Sequence, residues 1–229
     1  MTETSHEIIR ASGVTRTFGR GKGAVTVLKG VDLSIPAGKL IVFKGRSGSG
    51  KTTLINLLGA LDQPTDGTII FDGYDLTKES DRKRDEIRRS KMGLIFQSFA
   101  LIPLMTAYEN VEFMLRIADY PGKERQKAAI HALEQVGLAS RMHHRPFEMS
   151  GGEQQRTAIA RAIAHKPKLI LADEPTAELD SRTGLSIIKN FRDLVQQGLS
   201  VILTTHDPAI MDIVDHVYEL EDGQIVATN

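Results

Sequence analysis

The sequence contains no cysteine, which excludes both a disulfide framework and a thiolate metal site. It also carries no net charge, with 29 Lys+Arg set against 29 Asp+Glu. A protein whose main partner is a phosphate backbone would show a basic surplus or patch, so no nucleic-acid partner is expected. No apolar run approaches the roughly 18 residues that a membrane span requires. The opening MTETSHEIIR is polar and acidic-leaning, unlike a secretory signal. These absences point to a soluble, intracellular chain that reaches a membrane only through a partner. Internal repeats and low-complexity linkers are missing too. The 229 residues fall in the range where one α/β domain can bury a full core.

What is present alternates strand-like and helix-like segments, the pattern of an α/β fold around a largely parallel sheet. EIIRASGVTRTF and VTVLKGVDLSI read as an early antiparallel pair across the loop GRGKGA. KLIVFKG (39–45) is an apolar strand running into a glycine loop, followed by a helix near 50–60, the turn DQPTDG and the strand TIIFDG. MGLIFQ (92–97) is a further strand. Between 98 and 166 come three helical stretches, TAYENVEFMLRIA, KERQKAAIHALEQVG and GGEQQRTAIARAIAHK. Strand signals return in KLILADEP (168–175) and SVILTTHD (200–207), and HVYELEDGQIVA closes as a hairpin turning at Asp222-Gly223. A helical insert thus interrupts one sheet-based core. We expect one domain over 1–229, with a core lobe at 1–97 and 167–229 and a helical lobe at 98–166. KESDRKRDEIRRSK (78–91) mixes signs as a solvated helix face does. RMHHR (141–145) reads as a surface turn, since adjacent histidines diverge and no third ligand is near.

Three stretches carry chemistry. Gly45-Arg46-Ser47-Gly48-Ser49-Gly50-Lys51-Thr52, with Thr53 behind it, satisfies G-x-x-x-x-G-K-[ST]. Glycines let successive backbone N–H groups turn inward around phosphate oxygens, and the helix that follows aims its positive end at the same anion. Lys51 would reach the β- and γ-phosphates and the Thr52 hydroxyl would complete a Mg²⁺ shell. In LILADEP an apolar strand ends on Asp173 and Glu174, as a site at the carboxyl edge of a parallel sheet requires. Asp173 suits Mg²⁺ held through water, and Glu174 suits the polarisation of an attacking water. Alone, this pair divides evenly between a site and a strand capped by solvated acids; beside the phosphate loop the site prevails. In SGGEQQR, Ser150 can cap a helix whose apolar residues are Ala158, Ile159, Ala162 and Ile163. Gly151 and Gly152 leave its first N–H groups uncovered, making a weak anion half-site. A merely capped helix is the commoner fate of Ser-Gly-Gly.

GRSGSGKTT, MSGGEQQR and LILADEP, in that order, resemble the nucleotide-binding subunit of an ATP-binding cassette (ABC) transporter over essentially the whole chain. The resemblance implies a P-loop NTPase (RecA-like) core with an antiparallel β subdomain and an inserted helical subdomain, and an ATPase using ATP and Mg²⁺. It also implies a head-to-tail dimer. There the turn Ser150-Gly151-Gly152-Glu153 of one copy closes on ATP held by the phosphate loop of the other. Gln97 matches the glutamine that touches Mg²⁺ and the water, His206 in TTHD the histidine at the γ-phosphate, and Asp180 in AELD the aspartate spanning the dimer. Phe18 falls where an aromatic stacks on adenine, and TRTFG in place of the commoner tyrosine keeps the π-face. An aromatic so early in a hairpin is as readily a core residue. Two departures stand out. Met149 replaces the usual Leu, a volume-similar exchange, and TAELD places Glu178 beside Asp180.

FQSFALIPLMTAYENVEFML (96–115) resembles the MacB/LolD-type branch, whose relatives include FtsE-like and bacitracin-resistance-type ATPases. That implies an integral-membrane permease partner and a peripheral, cytoplasmic position on the inner face of the cell membrane. Phe99, Leu101, Pro103, Leu104 and Tyr108 form an apolar surface that could receive a permease helix in a groove. Two alternatives are the ATPase of a non-transporting signalling or cell-division complex, and a soluble ABC ATPase acting in DNA repair or on ribosomes. The second usually carries another cassette, a coiled-coil insertion or metal-binding cysteines, none of which occurs here. No N-K-x-D motif is present, which excludes a small GTPase.

Overall fold

The computed structural model describes residues 6–228, so the first five residues of the polar opening lie outside the described residues. β1 (Glu7–Phe18) and β2 (Val25–Pro36) pair antiparallel as expected. β3 (Leu40–Lys44) leads through the glycine loop into α1 (Lys51–Leu58). β4 (Asp66–Phe71) and β5 (Tyr74–Asp75) follow. α2 (Asp81–Lys91) keeps most of its charged face in solvent and leads into β6 (Met92–Ile95). The next three helices are α3 (Ala107–Ile117), α4 (Arg125–Gln135) and α5 (Gly151–Ile163). β7 (Leu169–Ala172), α6 (Ser181–Gln196), β8 (Ser200–Thr205), β9 (His216–Glu221) and β10 (Gln224–Thr228) complete the chain. The turn between the last two strands has Asp222 and Gly223 both at positive φ, 46° and 80°. Two such residues make the type I′ turn that matches strand twist in a two-residue hairpin.

Two sheets form, a core sheet and the antiparallel subdomain that the resemblance implies. The larger runs β10-β9-β3-β8-β7-β6, parallel from β9 to β6 with an antiparallel edge at β10. The smaller runs β2-β1-β4-β5. TIIFDG, a strand whose sheet the sequence left open, belongs to the antiparallel sheet. Pairing partner is a long-range choice that a strand's own residues do not encode.

Side-chain alternation organises the layers. Leu40 and Val42 of β3, Ile170 and Ala172 of β7, and Val201 and Leu203 of β8 enter one core, shared with α3–α6. Ile41, Phe43, Leu169, Leu171 and Ile202 enter the other, shared with α1 and the antiparallel sheet. Strands buried on both faces read as unbroken apolar runs, which is why KLIVF and LILA show no polar alternation.

α6 has no counterpart in the sequence reading, although its signal is there: Asp180 before it, then Ile187, Ile188, Phe191, Leu194 and Val195, all buried at helical spacing. α5 lies so close on β6 that a Cβ on Gly93 would stand 2.4 Å from the Ala162 carbonyl oxygen. Among the described residues no helix is long and apolar enough to cross a membrane.

Asp72, buried in the turn after β4, joins the two sheets. Its carboxylate accepts 2.8 Å bonds from Lys91 at the end of α2 and from Lys168 before β7. Burial opposes its ionisation, but the bonds from Lys168 and Lys91 prevail and hold its pKa below the ordinary carboxylate value. With the folded value depressed, this contribution is full above the unfolded-state pKa of about 4 and fades as pH falls through the folded value. Asp72→Asn should therefore destabilise the protein by about 1–3 kcal/mol at neutral pH. The difference from wild type should shrink in acid, as denaturant titrations at several pH values would measure.

Candidate nucleotide-binding site

The parallel register brings four strand ends to one edge. Lys44 stands opposite Thr205, Ala172 opposite Leu203, and Ile95 opposite Ala172. The residues after each strand therefore emerge together: the 45–53 loop, Gln97, Asp173-Glu174 and His206. This is the crevice at the carboxyl ends of an open α/β sheet.

The loop is shaped by close backbone approach. A Cβ on Gly45 would lie 2.3 Å from the Leu220 carbonyl oxygen, and one on Gly50 (φ 105°) would lie 2.8 Å from Leu28. No side chain caps α1, whose first N–H groups face the loop. The Lys51 ammonium donates to the carbonyl oxygens of Gly45 at 2.8 Å and Arg46 at 3.2 Å. Among the described residues the buried Ser49 hydroxyl has no hydrogen-bond partner.

Glu174 sits at φ 46°, outside the strand conformation of its neighbours. That left-handed turn, unfavourable for a residue with a Cβ, is held by Thr204. The fully buried Thr204 hydroxyl accepts from the Glu174 N–H at 2.8 Å and donates to Asp173 Oδ1 at 2.6 Å. One hydroxyl thus sets both acids. Glu174 Oε2 lies 3.2 Å from His206 Nδ1, and its Oε1 lies 3.9 Å from Lys51 Nζ. The exposed Gln97 amide reaches Glu178 Oε1 at 3.4 Å.

Gly45, Arg46, Ser47, Gly48, Gly50, Lys51, Thr52, Thr53, Gln97, Glu174 and His206 line one cavity of about 760 Å³. Val27 and Ala177 complete the wall. Asp173 stands behind it, bonded to Thr204. Phe18 is exposed at the end of β1, with the Arg16 guanidinium 4.4 Å over its ring, neither in the cavity wall nor in the core.

The second glycine turn also lies outside this cavity. Ser150 Oγ accepts from the Glu153 N–H, and Glu153 Oε2 accepts from the Ser150 N–H, a reciprocal capping box. The Ser150 N–H bond is the main cause of a lowered Glu153 pKa. Gly151 and Gly152 pack against Leu179 and Thr183 of their own chain. Asp180 caps α6 and lines a neighbouring depression that shares Glu174, Ala177 and His206. The Thr183 hydroxyl, then the Thr183 N–H, hold its carboxyl below the usual range.

Thr204 escaped the sequence reading; a pair of threonines ending the run Val201-Ile202-Leu203, just before His206, was the available signal. The structure adds an apolar feature beside the expected surface, whose Pro103 and Leu104 are exposed. A second cavity, about 510 Å³, is walled by Phe96, Ile102, Phe113, Met114 and Ile117 between β6, α3 and α5. Phe99, Leu101, Pro103, Leu104 and Tyr108 are not in its wall, and Tyr108 packs on the core instead.

A strand, glycine loop and helix, with a carboxylate-tipped strand one place away in the same parallel sheet, define a P-loop nucleoside triphosphatase. The ABC transporter family model matches residues 28–177. The chain is 43% identical to an uncharacterized ABC transporter ATP-binding protein, YknY of Bacillus subtilis, over 96% of this chain and 95% of that protein. It is 43% identical to the macrolide export ATP-binding/permease protein MacB of Marinobacter nauticus, over 96% of this chain but only 34% of MacB. A solved dimer of the ATP-binding cassette MJ0796, in a post-hydrolysis state with ADP and Pi, superposes with a TM-score of 0.88 at 39% identity. That match covers 96% of this chain and 97% of the other. The chain belongs to the ABC transporter family, as an ATP-binding and ATP-hydrolysing cassette that uses Mg²⁺.

Thr204→Val keeps the shape but removes both hydroxyl bonds. Steady-state ATPase activity should fall about tenfold, the equivalent of roughly 1.4 kcal/mol of lost positioning. ATP affinity, measured by nucleotide titration, should stay near that of wild type.

Proposed function

We propose that the chain is the motor subunit of a membrane permease of the MacB/LolD-like kind, working as a head-to-tail pair on the inner face of the cell membrane. One observation carries the reading: four separate segments, the 45–53 loop, Gln97, Glu174 and His206, line a single cavity. The uncapped start of α1 and the Lys51 ammonium suit the phosphates of ATP. Thr52, Gln97 and Asp173 offer the oxygen donors that a hard cation takes, and would hold Mg²⁺. Bound there, Mg²⁺ would neutralise charge on the phosphate oxygens.

In this reading Glu174 takes the proton of the water that attacks the γ-phosphate in line. His206, at 3.2 Å, orients that carboxylate and contacts the phosphate. Lys51 stabilises the charge that develops on the transferred group. The Ser150-Gly151-Gly152-Glu153 turn and Asp180 are outside the chain's own cavity. That supports a role across a dimer seam, where a second copy presents them to the nucleotide. Phe18 would stack on adenine after exchanging Arg16 for the base. The division into a core lobe at 1–97 and 167–229 and a helical lobe at 98–166 belongs to the same reading. The apolar cavity beside β6 is the surface offered to the permease.

Glu174→Gln tests the chemistry. Turnover should drop by about two to four decades while ATP binding persists. With ATP and Mg²⁺ the variant should double its mass from 25.2 kDa, read by light scattering. Normal turnover in this variant would remove Glu174 from its role, and an unchanged mass would count against the paired arrangement.

A further inference from the structure

Arg161 lies in α5, two turns and more beyond the Ser150 cap, and no part of the nucleotide cavity touches it. Its side chain is half-buried at the wall of the apolar cavity, and burial pushes its pKa down from the ordinary arginine value. Among the described residues no carboxylate pairs with it. A cation taken from water without a counter-ion must be compensated by hydrogen bonds. Arg161 finds them on two consecutive backbone carbonyls: Nη2 donates to Phe99 O at 3.0 Å, and Nη1 donates to Ala100 O. The planar fork of arginine suits a bidentate grip of this kind; a lysine cannot reproduce it.

The two residues it grips are unusual. Phe99 and Ala100 both adopt left-handed backbone conformations, φ 59° and 49°. Successive non-glycine residues rarely do so, because each sets its Cβ against a carbonyl oxygen. The loop folds tightly on itself, with Phe99 N donating to Phe96 O and Ala100 N to Ser98 O. Within it the side chains divide: Gln97 faces the nucleotide cavity, and Phe96 and Ala100 line the apolar one. The base of the clamp is rigid, because the close approach of α5 to Gly93 fixes α5 on β6 one strand-length before the loop.

We infer that Arg161 is a positioning residue for ATP hydrolysis: its grip on the Phe99 and Ala100 carbonyls holds the strained 96–100 loop so that Gln97 projects into the nucleotide cavity. This rests on the reading of Gln97 given above. Strained conformations persist only where their surroundings over-determine them, and Arg161 supplies that determination from the helix whose first turn carries Ser150.

The test is a double-mutant cycle on the full chain with Arg161→Met, Arg161→Lys, Gln97→Ala and the combined Arg161→Met/Gln97→Ala variant. Steady-state kcat and KM for ATP, the ATP Kd and the melting temperature are measured for each. Arg161→Met should lower kcat about tenfold or more, as small misplacements of reacting groups do, with Kd within about twofold of wild type. Arg161→Lys should not restore it. The combined variant should be no slower than Gln97→Ala alone, which a general loss of packing would not produce. Additive losses, a wild-type kcat in both Arg161 variants, or unfolding of both would overturn the inference. If Gln97→Ala is slow while both Arg161 variants turn over normally, only the role of Arg161 falls. If Gln97→Ala turns over normally, the reading of Gln97 falls and this inference falls with it.

Discussion

The parallel pairing of β8 between β3 and β7 is the constraint on which the rest of the molecule depends. A parallel ladder points every strand the same way, so the segments leaving β3, β8, β7 and β6 all emerge at one edge. Residues 45, 97, 174 and 206 are far apart in sequence and meet only because of that shared direction. Burial on both faces holds the ladder in place. A slip of one residue would exchange the members of the two cores, Val42 for Phe43 and Ile202 for Leu203. The fineness of the site thus derives from the bulk of the core.

Superposed on that frame is a set of short polar fixings, each using a buried or half-buried group with a definite partner. Thr204 binds the two acids through one hydroxyl, Asp72 joins the sheets through two lysines, and Arg161 holds the loop after β6. Each fixes a place where the backbone departs from regular geometry: Glu174, Asp72, and Phe99 with Ala100 all have positive φ. Local strain and buried polar contact coincide because the first needs the second to persist.

Much of this was legible in advance. The phosphate loop, the acidic strand end and the Ser-Gly-Gly turn are contiguous motifs, and local sequence sufficed to find them. The antiparallel opening pair, the three helices between 98 and 166 and the turn at Asp222-Gly223 were also readable, since period and turn chemistry are local properties. α6 was overlooked even though its apolar spacing is regular. The assignment of TIIFDG to the second sheet could not be read from its residues, which would suit either sheet equally well. Nor could the true wall of the apolar cavity. Phe96, Phe113 and Ile117 are distributed over a loop and a helix, and only their packing makes them neighbours.

By itself, then, the sequence determined the class of chemistry. Glycines, a lysine, hydroxyls and carboxylates at fixed spacing can bind a nucleoside triphosphate and a hard cation, and the arrangement of donors within each motif is set by a few adjacent bonds. Tertiary structure alone decided which of these groups face one cavity and which face away. It put Glu174 between Lys51 and His206, bonded Asp173 to Thr204 outside the cavity wall, and turned Ser150 and Asp180 toward other surfaces. The physical reason is that orientation depends on burial and pairing across long sequence separations, where the free energy belongs to the packed layers and no single segment contains it.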